Sequence, residues 1–215
     1  MNEDLFSADY NVTKKNKLLR FYESNKILIF SGIFVLIIAS VSIFFYMSSK
    51  ENKKILLAEN YMQAKIYLEK GEKNKARNIL EKIIFSKNST YSALSLFLLL
   101  EENLIIDKDQ LSKLFEEVLK NNKYDEEIEN LIVLKRLIFE SNFLTEAEIL
   151  NLANPLIKQE TIWKPHALML LGDYFVFKNQ NIKAREFYSK ILLIENLHQG
   201  LYQQAQSQLT LIAND

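Results

Sequence analysis

Hydrophobic and polar residues follow two different patterns along this chain of 215 residues. Near the N-terminus, Ile27–Met47 is an uninterrupted apolar run that carries no charge. As an α-helix rising about 1.5 Å per residue, this run spans the roughly 30 Å hydrocarbon core of a bilayer. From Lys54 onward, apolar residues recur with the period of a helix, and no segment alternates with period two for long enough to form a strand. The pattern predicts an all-α protein, in which one N-terminal transmembrane helix precedes about nine helices in a helical-hairpin domain.

The apolar run has two other interpretations. A buried core helix is disfavoured, because a run of this length has no polar face to present to water. A cleaved signal peptide fits the basic tail and the small residues Ala39, Ser40 and Ser42. The run continues to Met47, however, whereas the apolar part of a secretory signal is usually about 7–15 residues long. We therefore predict an uncleaved signal anchor, with cleavage as the alternative.

Apolar stripes and capping residues predict where the later helices lie. Asp107 is an expected N-cap, and Thr145 with Glu148 forms an expected capping box. Pro155 is expected to end or kink its helix, and Pro165 to occupy a first helical turn. The predicted core stripes are Leu57, Tyr61, Ala64 and Leu68; Ala76, Ile79, Leu80 and Ile83; Leu111, Leu114, Phe115 and Val118; and Ile128, Leu131, Leu134 and Ile138.

Composition narrows the class of protein. Only four Gly and two Pro occur, which favours long helices and short turns. The 27 basic residues balance the 27 acidic ones, so the chain lacks the basic excess of a nucleic-acid-binding protein. The absence of cysteine excludes disulfides and thiolate metal sites.

The basic residues near the apolar run predict an orientation. The tail, residues 1–26, carries five Lys and Arg in its last thirteen positions, which weakly favours a cytoplasmic tail. The tail itself is either a short amphipathic segment on the membrane surface or disordered. The predicted organisation is thus a cytoplasmic tail (1–26), a transmembrane helix (27–47) and a helical domain (50–215) on the other side of the membrane. If the cell is bacterial, these are the inner membrane and the periplasm or the outside of the cell.

Two stretches of the domain resemble each other. Tyr67–Ile83 and Phe175–Ile191 each place an aromatic residue four positions before a turn residue, followed by Lys-Ala-Arg and further apolar residues. Such self-similarity is typical of stacked helical hairpins, because one hairpin cannot bury its apolar face alone. The residues that define the two units are Tyr67, Gly71, Ala76 and Leu80, and Leu168, Leu171, Gly172, Phe175, Ala184 and Tyr188.

These spacings resemble the tetratricopeptide repeat, which implies a solenoid of helical hairpins. The later unit has the Leu-Gly pair of that family at Leu171–Gly172, whereas the earlier one has Gln63–Ala64. In such repeats small residues stand where two helices approach closely. The chain between these two units could hold two more, but no further clean motif marks them.

The whole chain resembles a narrower family, the ancillary subunit of the bacterial Sec translocon (the SecYEG-associated membrane protein). The tail segments Asn2–Tyr10 and Lys17–Lys26 are similar to that family's entry, and Pro155–Ile212 is similar to its C-terminal part. The resemblance implies a domain that contacts translocon subunits, translocating polypeptides and periplasmic chaperones. A cell-envelope scaffold in division or wall assembly is the alternative function.

No residue pattern indicates catalysis, a cofactor or a small-molecule substrate. His166 and His198 are the two histidines, without a metal-binding motif around them, and surface or capping roles are commoner. Glycine-rich phosphate loops and nucleophile elbows are absent from the sequence. We therefore expect a protein that is not an enzyme.

Three aromatic residues are candidates for a partner groove. Tyr174 and Phe177 flank Phe175 off the core stripe, so they either line the inner groove of stacked hairpins or, more commonly, pack against a neighbouring helix. Trp163 has the same two interpretations, with a capping role beside Pro165 as the commoner one.

Overall fold

The computed structural model describes the backbone of residues 3–213 and the side chains of residues 19–213. All regular secondary structure within these residues is helical. The chain divides into two compact units, Met1–Leu56 (unit 1) and Leu57–Asp215 (unit 2). The helices are α1 (Glu3–Glu69), α2 (Lys73–Ile84), α3 (Ser89–Glu101), α4 (Lys108–Asn121), α5 (Glu126–Glu140), α6 (Glu146–Lys158), α7 (Lys164–Phe177), α8 (Asn181–Leu192) and α9 (Gln199–Ala213).

Unit 1 contains the part of α1 that carries the apolar run. Its large apolar side chains are exposed, and α1 is the one described helix long and apolar enough to cross a membrane, as an anchor or a signal sequence. The hydroxyls of Ser31 and Ser40 donate to the carbonyl oxygens of Leu28 (3.0 Å) and Leu36 (2.8 Å). These hydroxyls therefore need no water, which suits a helix in lipid.

The predicted tail is helical from Glu3, but its side chains before Leu19 lie outside the described residues. The structure therefore leaves both interpretations of the tail open. The boundary between the units falls within α1, after Leu56.

Unit 2 comprises the last part of α1 and the eight helices α2 to α9. From α2 to α9, consecutive helices pack on one another, and α2 also packs on α4, α5 on α7 and α7 on α9. The buried side chains form two clusters that share α5. The N-terminal cluster includes Ala64, Leu80, Leu96, Phe115 and Ile132. The C-terminal cluster includes Leu137, Leu156, Phe175, Tyr188 and Ala205.

Three turns between helices have the same hydrogen bonds. Gly71, Asn103 and Asn179 have φ values of 75°, 49° and 57°, in the left-handed region that Gly and Asn tolerate best. In each turn the following backbone N–H donates five positions back, at 2.8–3.0 Å, to the carbonyl oxygens of Tyr67, Leu99 and Phe175. The equivalence of Gly71 and Asn179 was predicted. Asn103 is a third instance that the sequence analysis missed.

The predicted caps are present. Asp107 accepts from the N–H groups of Asp109 (2.9 Å) and Gln110 (3.1 Å). Thr145 and Glu148 form both bonds of a capping box. Pro165 lies in the first turn of α7. Local sequence signals therefore identified these helix ends correctly.

Pro155 was predicted to end or kink its helix. It does not end the helix, because α6 continues to Lys158. Proline removes the N–H that would donate to the carbonyl oxygen of Asn151. Pro155 and Asn151 are both exposed, so water can satisfy that oxygen.

The predicted core stripe of α5 is wrong at two of its four positions. Ile128 and Ile138 are 43% and 52% exposed. The buried residues of α5 include Ile132, Leu134 and Leu137, together with the polar Asn130 and Glu140. Helix α5 thus has two apolar faces, one in the core and one at the surface.

Candidate functional site

A groove of about 530 Å³ lies between α3 and α5. Whereas α5 packs on α7 and α7 on α9, α3 and α5 make at most marginal direct contact. The groove lies where that helix contact is missing. Its lining residues are Ser89, Thr90, Ala93, Leu94, Phe97, Lys123, Tyr124, Asp125, Ile128 and Leu131.

The long walls of the groove are apolar. Leu94 of α3 and Ile128 of α5 are 40% and 43% exposed, and Phe97 and Leu131 are half-buried beside them. Leu94 and Phe97 lie three positions apart on α3, as Ile128 and Leu131 do on α5, so each pair presents one face of its helix. The two faces supply apolar surface that the fold leaves uncovered.

One end of the groove is polar. Ser89 and Thr90 form the first turn of α3, which Asn88 caps by accepting from the N–H of Tyr91 at 3.1 Å. Lys123 and Asp125, in the turn between α4 and α5, are exposed and line the same end. This end can therefore offer hydrogen-bonding groups and charges of both signs to a bound molecule.

The hydroxyl of Tyr124 is buried and has no hydrogen-bond partner among the described residues. Burial also raises the pKa of Tyr124 to about 12. A buried hydroxyl without a partner costs about 1–3 kcal/mol. Tyr124 therefore lines the groove with its ring and stays protonated at neutral pH, while its hydroxyl is buried.

Beyond the groove, Lys135 lies over Phe97. Its Nζ is 5.2 Å from the centre of the ring, within the range of a cation–π interaction. Lys135 is four positions after Leu131 on the same face of α5. It thereby links the two helices that border the groove.

The structure does not bring the three predicted groove residues together. Tyr174 is buried, and its hydroxyl donates to the carbonyl oxygen of Leu144 at 3.2 Å, as the packing interpretation expects. Phe177, at the other end of α7 from Trp163, is 71% exposed. Phe177 lies fourteen positions after Trp163, which corresponds to about 21 Å of helix.

Trp163 is the N-cap residue of α7 but makes no side-chain capping bond. Its Nε1 donates instead to the carbonyl oxygen of Glu127 at 2.9 Å, which ties the start of α7 to the start of α5. Glu127 also accepts from the hydroxyl of Thr161 at 2.8 Å. Trp163 therefore lies beside a second cavity of about 500 Å³, formed by Glu127 and residues of the α6–α7 and α8–α9 turns.

The predicted repeat residues are buried in unit 2, apart from the half-buried Tyr67 and the exposed turn residue Gly71. Tyr188 covers Gly172, where an added Cβ would overlap the ring, so the small residue permits close approach of α7 and α8. The hydroxyl of Tyr188 donates to Asp173 at 2.6 Å. The other repeat residues are buried at 3% exposure or less: Ala76, Leu80, Leu168, Leu171, Phe175 and Ala184.

The two histidines are exposed. His198 accepts from the N–H of Gly200 at 3.2 Å, at the start of α9, while His166 lies beside Trp163 with 5.9 Å between ring centres. Within the described part of the chain, no three His, Cys, Asp or Glu side chains are placed to hold a metal ion.

Sequence reasoning missed the groove, although a signal for it existed. The sequence of α3 is apolar on almost every side, more than one buried face requires. In α5 two apolar stripes coexist, and the prediction combined them. An excess of apolar positions in adjacent helices indicates a second apolar surface.

Comparisons of this chain with protein-family models, with curated proteins and with solved structures find no match. The resemblance to repeat proteins and to the translocon subunit therefore rests on the residues of the chain alone.

Proposed function

We propose that the protein is a membrane-anchored protein-interaction module, in which the groove between α3 and α5 binds apolar segments of other polypeptides. The observation that carries the proposal is the pair of exposed apolar faces that border the groove, Leu94 with Phe97 and Ile128 with Leu131. Contiguous exposed apolar surface on a folded domain commonly marks an interaction site.

The shape and chemistry of the groove support a polypeptide ligand. The apolar walls suit large apolar side chains. The hydroxyls of Ser89 and Thr90 can pair with backbone groups that an extended segment brings with it.

The apolar helix supports the anchoring half of the proposal. A tether raises the local concentration of the domain near other membrane proteins, so weak contacts suffice. The Lys and Arg residues of the tail favour a cytoplasmic N-terminus and a domain on the opposite side of the membrane. On this proposal the solenoid of tetratricopeptide-like hairpins presents the groove outside the cytoplasm.

A direct binding measurement tests the groove. We expect the full chain in lipid nanodiscs to bind a permanently unfolded, fluorescently labelled polypeptide. Replacing Leu94 and Ile128 together by serine should weaken binding about tenfold or more, because a loss of about 1.4 kcal/mol corresponds to a factor of ten. The matched control replaces Ile106 and Phe143, exposed apolar residues that do not line the groove, by serine.

Circular dichroism confirms that each variant is folded before its affinity is compared. Equal affinities for the groove variant and the wild type contradict the proposed site. Equal losses in the groove variant and the control indicate non-specific apolar binding and also contradict it.

We further propose the Sec translocon as the site of action, with translocating polypeptides and periplasmic chaperones as partners. The support is the resemblance of Asn2–Tyr10, Lys17–Lys26 and Pro155–Ile212 to the ancillary translocon subunit. Crosslinking in intact membranes followed by purification of the chain is expected to recover translocon subunits. Recovery of division or wall-assembly proteins instead, with a septal distribution of a tagged copy, would favour the envelope scaffold.

A further inference from the structure

The second cavity lies where three helices of unit 2 begin. It is lined by Glu127 in the first turn of α5, by residues that lead into α7 and by residues that lead into α9. Helix α5 packs on α7, and α7 packs on α9. The cavity is therefore a recess built by the packing of unit 2, and the groove between α3 and α5 does not include it.

The lining of the second cavity carries an excess of acid. It includes three glutamates, one lysine and two histidines, so with the histidines neutral it holds two more negative than positive charges. The lysine, Lys164, pairs with Glu160. The ion pairs among the described residues leave the other two acids, Glu127 and Glu195, without a cationic partner.

Two hydrogen bonds fix Glu127 at the cavity. Its Oε2 accepts from the hydroxyl of Thr161 at 2.8 Å, and Thr161 is only 9% exposed. Its carbonyl oxygen accepts from Nε1 of Trp163 at 2.9 Å. The carboxylate is thus held in place before a ligand arrives, which lowers the ordering cost of binding.

Apolar side chains make up most of the remaining lining. Ile194, Leu197 and Leu201 are half-buried, and Pro165 is buried. The described residues place no three His, Cys, Asp or Glu side chains to hold a metal ion, so the unpaired acids need another kind of cation. Lys and Arg side chains combine a long aliphatic stem with a terminal charge. Such a side chain matches both the apolar walls and the acids.

The second cavity and the groove lie close together on α5. Leu131 of the groove is four positions after Glu127 of the cavity. Residues at this spacing are neighbours on one face of a helix, with about 5–6 Å between their Cβ atoms. An extended segment advances about 3.3 Å per residue. A segment bound in the groove therefore reaches the cavity within about two to four residues.

We propose that the second cavity binds a lysine or arginine side chain of the polypeptide whose apolar residues occupy the groove. The aliphatic stem lies against the apolar walls, and the charged group pairs with Glu127 and Glu195. The inference rests on the proposed function and names its ligand class, which is segments with a basic residue about two to four positions from an apolar cluster. Complementary charge of this kind gives specificity among ligands.

Peptide binding tests the ligand class. The full chain in nanodiscs of uncharged lipid is titrated with fluorescently labelled peptides that carry two leucines and, three positions away, lysine, glutamine or glutamate. At about pH 8, above the usual titration range of histidine, we expect the lysine peptide to bind about fivefold more tightly than the glutamine peptide. The glutamate peptide should bind most weakly. A peptide with its lysine ten positions from the leucines should bind like the glutamine peptide.

Two pairs of substitutions locate the preference for lysine. Glu127→Gln with Glu195→Gln should abolish it, because both unpaired charges of the cavity are removed at nearly constant side-chain volume. Glu126→Gln with Glu129→Gln is the matched control, since these acids of the same helical turn are exposed and line neither recess. The control should keep the preference. Circular dichroism confirms that both double variants are folded.

The glutamine peptide separates this inference from the proposed function. If it binds, and loses affinity in the groove variant, but the lysine peptide binds no more tightly, the cavity assignment is overturned and the groove stands. A preference that survives in the cavity variant, or that falls equally in the control, also overturns the assignment. If none of the peptides binds, the groove is contradicted and the cavity assignment with it.

Discussion

The ring of Tyr188 lies directly on Gly172, where α7 and α8 approach most closely. The small residue was identified from sequence because its spacing to Phe175 and Ala184 resembles a known repeat. The contact with Tyr188, which makes a small residue necessary at Gly172, was not predicted, because it depends on how the two helices pack. Burial, the bond to Asp173 and the charge of that carboxylate all raise the pKa of Tyr188. The tyrosine therefore stays neutral in the folded chain at physiological pH.

Gly172→Ala is expected to destabilise unit 2 despite the better helix propensity of alanine. Overpacking in a close helix contact costs about 1–3 kcal/mol, against a propensity gain of about 1 kcal/mol. Urea unfolding of the full chain in nanodiscs, followed by the fluorescence of Trp163, measures the change. In a Tyr188→Leu background the same substitution should cost less, because the ring it overlaps is gone. Equal costs in both backgrounds would exclude this contact as the cause.

Tyr124 allows a prediction about pH. Its pKa in the folded chain is about 12, against 10.0 for an ordinary tyrosine. Between these values the unfolded chain releases the proton and the folded chain keeps it, so the free energy of unfolding falls as pH rises from 10 to 12. In Tyr124→Phe we expect a smaller fall over this window, measured by urea unfolding at each pH. Identical pH profiles would show that Tyr124 is not the buried hydroxyl described here.

At neutral pH the same substitution should not destabilise the protein. Tyr124→Phe removes a buried hydroxyl that lacks a partner, and removal of such a group is close to neutral or stabilising. A loss of more than about 1 kcal/mol would indicate a hydrogen bond that the structure does not contain.

At the scale of elements, local sequence predicts the ends of helices well. Asp107 and the Thr145–Glu148 pair act within one turn of chain, so their bonds do not depend on the rest of the fold. The turn at Asn103 was missed because asparagine is a weaker signal for a left-handed residue than glycine. The surface stripe of α5 was misassigned because apolar spacing shows that a helix has an apolar face but not what covers it.

The N-cap residues of α5 and α6 give a matched pair of substitutions. Thr145→Ala removes the capping box of α6 and should cost about 1 kcal/mol. Asp125→Ala is the control, because Asp125 occupies the N-cap of α5 without a side-chain capping bond. Thermal unfolding in nanodiscs should show a lower Tm for Thr145→Ala and little change for Asp125→Ala. Equal shifts would mean that the observed capping bonds do not decide stability here.

At the scale of the whole chain, the apolar helix and the helical domain were both predictable, since long apolar runs and the helical period are strong signals. The position of the groove was not, because the excess of apolar residues in α3 and α5 indicates a second apolar surface but not how the two helices pack. The proposed function assigns membrane anchoring to the apolar helix and partner binding to the groove of the helical domain.

Site-specific photo-crosslinking in living cells tests the central claim most directly. A photoreactive amino acid at Leu94, in the wall of the groove, is compared with one at Lys113, an exposed position of α4 outside the groove. The account predicts crosslinks from Leu94 to other polypeptides, lost when Ile128 is replaced by serine, and few from Lys113. Crosslinks of equal strength from both positions, or none from Leu94, would contradict a polypeptide-binding groove.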